Sequence, residues 1–291
     1  MSGNSLTGGS RTGDSRTGDS LTNASRVPRA SAANGASVSI AGVAKSFRTR
    51  SRTTQALTSV DLHIGKGEFV SLLGPSGCGK STLLRIVGGL IDADQGTVTI
   101  EGASPHAARA KKQFGLIPQA PALVPWRTVD HNIVFLSTLN HRAGQSSLPP
   151  EQIDDLIAAV GLTDFRHAYP HELSGGMQQR VALVRGFALG APVLLMDEPF
   201  AALDEITRAG ARYLLLDLWS RTGATVIFVT HSIPEAVILS DRVVVMAARP
   251  GRVAAIEEIT LARPRNPEME DDSAFHGHVR RLRSGLRDHH A

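Results

Sequence analysis

A short run, FVSLLG (residues 69–74), apolar but for Ser71, leads directly into GPSGCGKST (Gly74 to Thr82), and a helix-prone KSTLLRIVGGL follows. No other feature restricts the fold of this chain as strongly. The segment matches G-x-x-x-x-G-K-[ST], a loop that turns successive backbone N–H groups inward around phosphate oxygens. Gly74, Gly77 and Gly79 supply the torsional freedom, with Pro75, Ser76 and Cys78 between them. The helix beyond adds its positive N-terminal end. Lys80 is expected to reach the β- and γ-phosphates and the Ser81 hydroxyl to ligate Mg²⁺, with Thr82 closing the motif. The alternative is a Gly-rich turn that binds nothing, yet the loop sits between a strand and a helix, as phosphate binding requires. Cys78 reads as a small residue that fits, although a bulky adduct there would obstruct phosphate.

The rest of the chain supplies matching layers. VSIAGV (38–43), LTSVDLHI (57–64) and GTVTIEG (96–102) alternate as strands, with GKGE (65–68) as a turn. PVLLMDEP (192–199) and ATVIFVTHS (224–232) read as buried strands, and residues 207–223 as a long helix. Ser232 and Glu235 have the spacing of a capping box for the next helix, with Pro234 in its first turn. The middle, about 120–190, is mostly helical between Pro-rich loops, and DRVVVMAARPGRVAAIEEI closes the domain with strands about a Pro-Gly turn. Apolar strands alternating with helices imply a mainly parallel sheet covered on both faces.

Composition removes several classes. Lys plus Arg (31) exceed Asp plus Glu (27) by four. Residues 1–36 hold four Arg against two Asp and residues 263–291 six Arg against five acids, so the body carries 21 bases and 20 acids. With no basic run there, no nucleic-acid partner is expected. The single cysteine excludes an intrachain disulfide or a cysteine metal cage. No run approaches about eighteen consecutive apolar residues, and no secretory apolar centre is seen. Residues 1–36, nearly all Ser, Thr, Gly, Asn, Arg and Ala, read as a disordered tail. Phe275, Val279, Leu282 and Leu286 form one apolar stripe on a C-terminal helix. Its expected use is docking on its own domain; the alternative, helped by Arg280, Arg281, Arg283 and Arg287, is a partner or membrane surface. The four histidines of this segment have no spacing or acid companion that suggests a metal site.

Two further motifs carry chemistry. VLLMDE (193–198) ends a strand in paired acids. Asp197 can hold Mg²⁺ through water beside the phosphate loop, and Glu198 can accept a proton from an attacking water. Alone, the pair could be a solvated turn. LSGGMQQR (173–180) ends 17 positions before Asp197 and opens a helix with Ser174, Gly175 and Gly176, a second anion-binding terminus.

In this order the motifs resemble the ATP-binding subunit of an ABC transporter over roughly residues 38–262. GPSGCGKST matches the family's Walker A, LSGGMQQR its signature (Leu173, Ser174, Gly175, Gly176, Gln178) and VLLMDE its Walker B. Gln119 falls in the Q-loop, ALD (202–204) with Asp204 matches the D-loop, His231 the switch histidine, and Phe47 the aromatic that stacks on adenine. The resemblance implies a P-loop NTPase core with a mainly parallel sheet, an antiparallel β subdomain and a helical signature subdomain. It divides the chain into a tail (1–36), an ABC domain (37–262, helical part about 120–190) and a C-terminal segment (263–291). It also implies a homodimer that sandwiches two ATP molecules, each between one copy's phosphate loop and the other's signature. Glu198 would polarise the water, His231 hold the γ-phosphate, and Gln119 join Mg²⁺ to the transport partner.

PALVPWRTV (121–129), the Met in SGGMQQR, and MAARPGRV with LARPR look like the nitrate/sulfonate/taurine import group. That implies a separate integral-membrane permease, a periplasmic or lipoprotein solute-binding protein, and a peripheral place on the cytoplasmic face of the membrane. Trp126 and Arg127 would lie near the permease-receiving surface, or else pack on their own domain. Pro118, Gly186, Ala201 and Ser232 depart from that group's usual residues, and none removes a catalytic group. Import of a pyrimidine precursor and a non-transport ABC ATPase are the alternatives.

Overall fold

Val38, Ile40 and Val43 are buried on one face of β1 (Ala36–Arg48). This strand pairs antiparallel with β2 (Thr53–Gly65), and a Lys66–Gly67 turn leads into β3 (Phe69–Leu73). The glycine loop and α1 (Lys80–Val87) follow, and β4 (Gln95–Ile100) returns to the other edge of β1, giving a sheet ordered β2-β1-β4. The computed structural model describes residues 36–49, 52–141 and 148–288. Apart from Ala36, the tail read at 1–36 lies outside them, as do His289 and His290.

Beyond α2 (Pro105–Ala110), the chain enters β5 (Phe114–Ile117) and then the helical part: α3 (Val129–Ile133), α4 (Phe135–His141), α5 (Pro150–Ala159) and α6 (Gly175–Ala188). It continues through β6 (Val193–Asp197), α7 (Glu205–Thr222), β7 (Thr225–Thr230), α8 (Ile233–Leu239), β8 (Arg242–Ala247), β9 (Arg252–Glu258) and α9 (Ser273–Asp288). The second sheet is ordered β5-β6-β7-β3-β8-β9, parallel except for β9. This is the mixed α/β architecture expected: a parallel core, an antiparallel sheet and a helical part.

β3 shows why a strand apolar at all but one position was needed. Phe69 and Leu73 face a core built with Phe187, Phe200 and Phe228, whereas Val70 and Leu72 face a second core shared with β1, β2 and α1. Alternate side chains thus enter opposite layers, and the one polar residue of the strand, Ser71, is buried with its hydroxyl 2.5 Å from Ser240 Oγ. The parallel order brings the C-terminal ends of β5, β6, β7 and β3 to one edge. Gln119, Asp197–Glu198, His231 and Gly74 come from those four ends.

The capping box at α8 forms only in part. Ser232 Oγ accepts the Glu235 N–H at 3.4 Å, but the Glu235 carboxylate turns inward and accepts Thr230 Oγ1–H at 2.5 Å. The Ser232 N–H that the carboxylate was expected to satisfy donates instead to Thr230 Oγ1 at 3.0 Å. The buried threonine hydroxyl at the end of β7 stands between the two and takes both bonds.

The stripe on α9 faces the chain's own core: Phe275 and Leu282 are buried, and Val279 and Leu286 are half-buried against the same cluster. His278 has an acid partner from another element. Its Nδ1 lies 2.8 Å from Glu257 Oε1 on β9, and Nε2 accepts the Thr260 N–H at 3.3 Å. Glu257 is 21 positions away, so spacing along the helix could not disclose it. Two arginines then fasten the segment to the end of α8. Arg263 donates to Asp241 and to the Leu239 carbonyl and stacks its guanidinium 4.1 Å from the Trp219 ring centroid. Arg265 donates to the carbonyls of Val237, Ile238 and Ser240 at 2.8–3.0 Å. Burial, with the Arg263 charge alongside, pulls the Arg265 guanidinium down to about 9, so it is still a cation at neutral pH. Arg265→Met should lower stability by roughly 3 kcal/mol, because three buried carbonyls lose a charged donor. Urea unfolding checks this, and a midpoint shift within error would sink it.

Candidate nucleotide-binding site

The glycines act at the phosphate loop for different reasons. Gly79 sits at φ +94°, and a Cβ there would stand 2.6 Å from Leu57 Cδ2 on β2. Gly74 needs no unusual torsion; it is there for close approach, since a Cβ would come 2.6 Å from the Met246 carbonyl oxygen. β2 and the turn before β9 therefore press directly on the loop. The Gly251 N–H donates to Ala56 O, and Thr58 N–H to Gly251 O.

Lys80 is buried at the start of α1. Its ammonium donates to the carbonyls of Gly74 (2.8 Å) and Pro75 (3.0 Å), so the loop wraps its own cation. Pro75 is half-buried, Ser76 and Gly77 are exposed, and Thr82 is half-buried one position beyond Ser81. Cys78 is wholly buried, and burial raises its thiol pKa despite the neighbouring Lys80 ammonium. That side chain is small and fits, out of reach of a bulky reagent, and Cys78 has only its backbone to offer a phosphate.

Ser81 Oγ donates to Asp197 Oδ1 at 2.7 Å, joining residues 116 positions apart. A hydroxyl and a carboxylate in contact are hard-oxygen donors of the kind Mg²⁺ takes alongside phosphates. Among the described residues no three His, Cys, Asp or Glu side chains converge on a metal position, so such an ion would draw its other ligands from nucleotide and water.

Glu198 follows Asp197 at φ +47°, a left-handed conformation that costs a non-glycine residue about 1 kcal/mol or more. Its N–H donates to Val229 O and its carbonyl accepts from Ala201 N–H, both at 3.1 Å, which holds the strained turn. The turn aims the carboxylate at His231: Glu198 Oε2 lies 3.1 Å from Nδ1. The imidazole is 57% exposed and the carboxylate more sheltered, an open pair at the sheet edge that can accept and hold a proton. Gln119 is exposed in the bend after β5, on the same edge. Phe47, 43% exposed, lies opposite Thr54 near the end of β2 that packs on the loop, with Lys45 Nζ 5.8 Å from its ring centroid.

The signature residues form a separate place. Ser174 caps α6 by accepting the Met177 N–H at 3.3 Å, and Leu173 is buried beneath. A Cβ on Gly175 would meet nothing within 4 Å, whereas one on Gly176 would touch Thr207 Cγ2 at 2.9 Å. The Gln178 amide donates to the Pro170 and Leu173 carbonyls, so its nitrogen serves the local turn. A surface hollow of about 430 Å³ joins Ser174, Gly175 and Gly176 to Ala202, Asp204 and Thr207, and no phosphate-loop residue lines it. Asp204 caps α7, and hydrogen bonds from the Thr207 N–H and hydroxyl hold its carboxyl below the usual aspartate range.

The helical part presents Trp126 76% exposed, so it does not pack on its own domain. Its loop is nevertheless rigid. Arg185 donates to the carbonyls of Pro121 and Ala122, Asn132 ties down Val124, Arg127 and Thr128, and the Arg127 guanidinium lies 4.6 Å from the Phe135 ring centroid. Sequence reasoning missed Arg208, Thr230 and the inward turn of Glu235, which lie directly behind His231. The only signal was an acid spaced as a helix cap.

A family model described as ABC transporter matches residues 57–201. The aliphatic sulfonates import ATP-binding protein SsuB of Bacillus cereus is 41% identical over 233 residues, covering 80% of this chain and 90% of that protein. An uncharacterized ABC transporter ATP-binding protein of Methanocaldococcus jannaschii, MJ0412, is 44% identical over 227 residues, covering 78% and 84%. Among solved structures, a dimeric post-hydrolysis state of the ATP-binding cassette MJ0796 bound to ADP and Pi superposes with TM-score 0.65 at 31% identity, covering 77% of this chain and 100% of that one.

Proposed function

The chain belongs to the family of ABC transporter ATP-binding proteins, and from that premise we propose that it drives uptake of a small anionic or zwitterionic solute, sulfonate-like, through a separate permease. It is an ATP-binding ABC ATPase; the assignment of its residues, its assembly and its cargo is our reading. The observation that carries it is the meeting of Ser81 with Asp197 and of Glu198 with His231 at one edge of one sheet.

The loop N–H groups and Lys80 bind and orient the β- and γ-phosphates, with Phe47 against the base. Ser81 and, through water, Asp197 would hold Mg²⁺, which would supply charge neutralisation to the phosphates. Glu198 takes the proton of the attacking water, and His231 holds the γ-phosphate and the orientation of Glu198. Ser174, Gly175 and Gly176 serve the nucleotide of a second copy, because their hollow contains no phosphate-loop residue. The dimeric cassette structure supports a head-to-tail homodimer. So does Ile206, an apolar side chain 88% exposed beside Asp204. Gln119 connects the site to the face that carries Trp126.

No helix among the described residues is long and apolar enough to cross a membrane. We place the subunit peripherally on the cytoplasmic face, with Trp126 and Arg127 toward the permease and the solute-binding protein engaged only through it. Affinity purification of the tagged protein from native membranes tests this. A co-purifying multi-span permease with a sulfonate- or taurine-type binding protein supports the reading; a pyrimidine-precursor system redirects the cargo, and ribosomes or repair proteins without a permease overturn transport. Trp126→Ala should leave the ATPase rate of the isolated subunit within about twofold, as a surface change, while weakening permease recovery about tenfold or more through loss of an exposed aromatic anchor. Unchanged recovery would remove Trp126 from the interface.

A further inference from the structure

We propose that the half-buried Arg208 and the buried Glu235 form a positioning pair that ties the ALD segment to the turn carrying His231, and so sets the alignment of His231 on Glu198. The inference rests on the reading of His231 as a γ-phosphate contact.

Glu235 holds one neighbour of the histidine directly and the other through it. Its Oε2 accepts Thr230 Oγ1–H at 2.5 Å, and the same hydroxyl oxygen accepts the Ser232 N–H at 3.0 Å. The carboxylate thereby fixes the Thr230 hydroxyl, that hydroxyl fixes Ser232, and His231 stands between them. Glu235 is buried, and burial pushes its carboxyl up, against the opposing pull of Thr230, Arg208, Arg212 and His231. An anion kept there needs a cation.

Arg208 on α7 is that cation, and it is attached to the ALD segment. Its Nη2 donates to the Leu203 carbonyl at 2.7 Å, and Nη1 lies 3.6 Å from Glu205 Oε2. Its Nε is a buried donor with no acceptor, 3.8 Å from Glu235 Oε1. That separation is an ion pair but not a hydrogen bond, and closing it needs a shift of only about 0.8 Å. Leu203 and Asp204 line the signature hollow. Movement of that segment therefore acts on Arg208, through it on Glu235, and through Thr230 on the histidine. An orphaned buried donor beside a buried carboxylate marks a contact poised to tighten.

Steady-state hydrolysis by the full-length protein tests this with Glu235→Gln, Arg208→Met, their double variant and His231→Ala. The amide oxygen introduced by Glu235→Gln still accepts from Thr230 but offers Arg208 no charge. Each single change should lower kcat about tenfold, with KM for ATP within about twofold, and the double should be no slower than the slower single, as expected of coupled residues. Arg208→Lys, which keeps the charge at a partly exposed site, should restore part of kcat and carries the test if Glu235→Gln does not fold. A normal kcat in the single variants, or losses that multiply in the double, overturns the pair. His231→Ala inactive beside a normal Glu235→Gln overturns the pair alone; His231→Ala hydrolysing normally overturns the pair and the reading beneath it.

Discussion

Glu198→Gln should bind ATP as tightly as the parent protein, hydrolyse it about 10²- to 10⁴-fold more slowly, and accumulate as an ATP-bound dimer. The amide preserves the size of the side chain and can still bond to His231 Nδ1, 3.1 Å from the present carboxylate. What it loses is basicity, and only a step that takes a proton from water notices that. The strained φ of +47° belongs to the backbone and is set by bonds to Val229 and Ala201, so the turn should survive the change. Size-exclusion chromatography with ATP, beside a single-turnover hydrolysis assay, checks both halves. A monomeric variant that turns over normally would remove Glu198 from the chemistry and reopen the role of the whole sheet edge.

Lys80→Ala should fail earlier, at binding. The ammonium is buried and already held by two loop carbonyls, so it is pre-positioned at the mouth of the phosphate loop. Charge-assisted bonds of this kind contribute about 1.5–3 kcal/mol each, so loss of the contact to phosphate should weaken ATP binding roughly 10- to 100-fold. The substitution also strips Gly74 and Pro75 of a donor, and a modest fall in melting temperature should accompany it. Isothermal titration with a non-hydrolysed ATP analogue separates the two effects. Undiminished affinity in a folded variant would contradict the phosphate-loop assignment. The two variants are opposites: one binds without turning over, the other does not bind well enough to begin.

The loop and its flanking strands were legible because their requirements are local. A strand between two cores must be largely apolar on both faces, with its one serine hydrogen-bonded to Ser240, and a loop pressed at Gly74 and Gly79 by neighbouring backbone and side chains must be glycine there. The C-terminal stripe was legible for the same reason, as one helix shows its own periodicity. Other features were not. The Ser232 and Glu235 spacing allowed a reciprocal cap, yet only the bond to Ser232 Oγ forms, because a buried hydroxyl from the preceding strand takes the return bond. That Cys78 fits as a small residue was legible, but not that its side chain joins the core shared by β1, β2, β3 and α1. Trp126 could have packed inward, and only the anchoring of its loop by Arg185 and Asn132 leaves it standing out.

Sequence alone determined the kinds of groups present, their order, and the faces on which they stand, since these follow from backbone geometry and short-range periodicity. Tertiary structure decided which of them meet. Ser81 touches Asp197 across 116 positions and Glu198 touches His231 across 33, because the sheet order β5-β6-β7-β3 sets strand ends from distant segments side by side. It likewise decided that Arg208 faces Glu235 and that Glu257 meets His278. Periodicity along one element says which way a side chain points; what it points at depends on the packing of another element, which no single stretch of sequence contains.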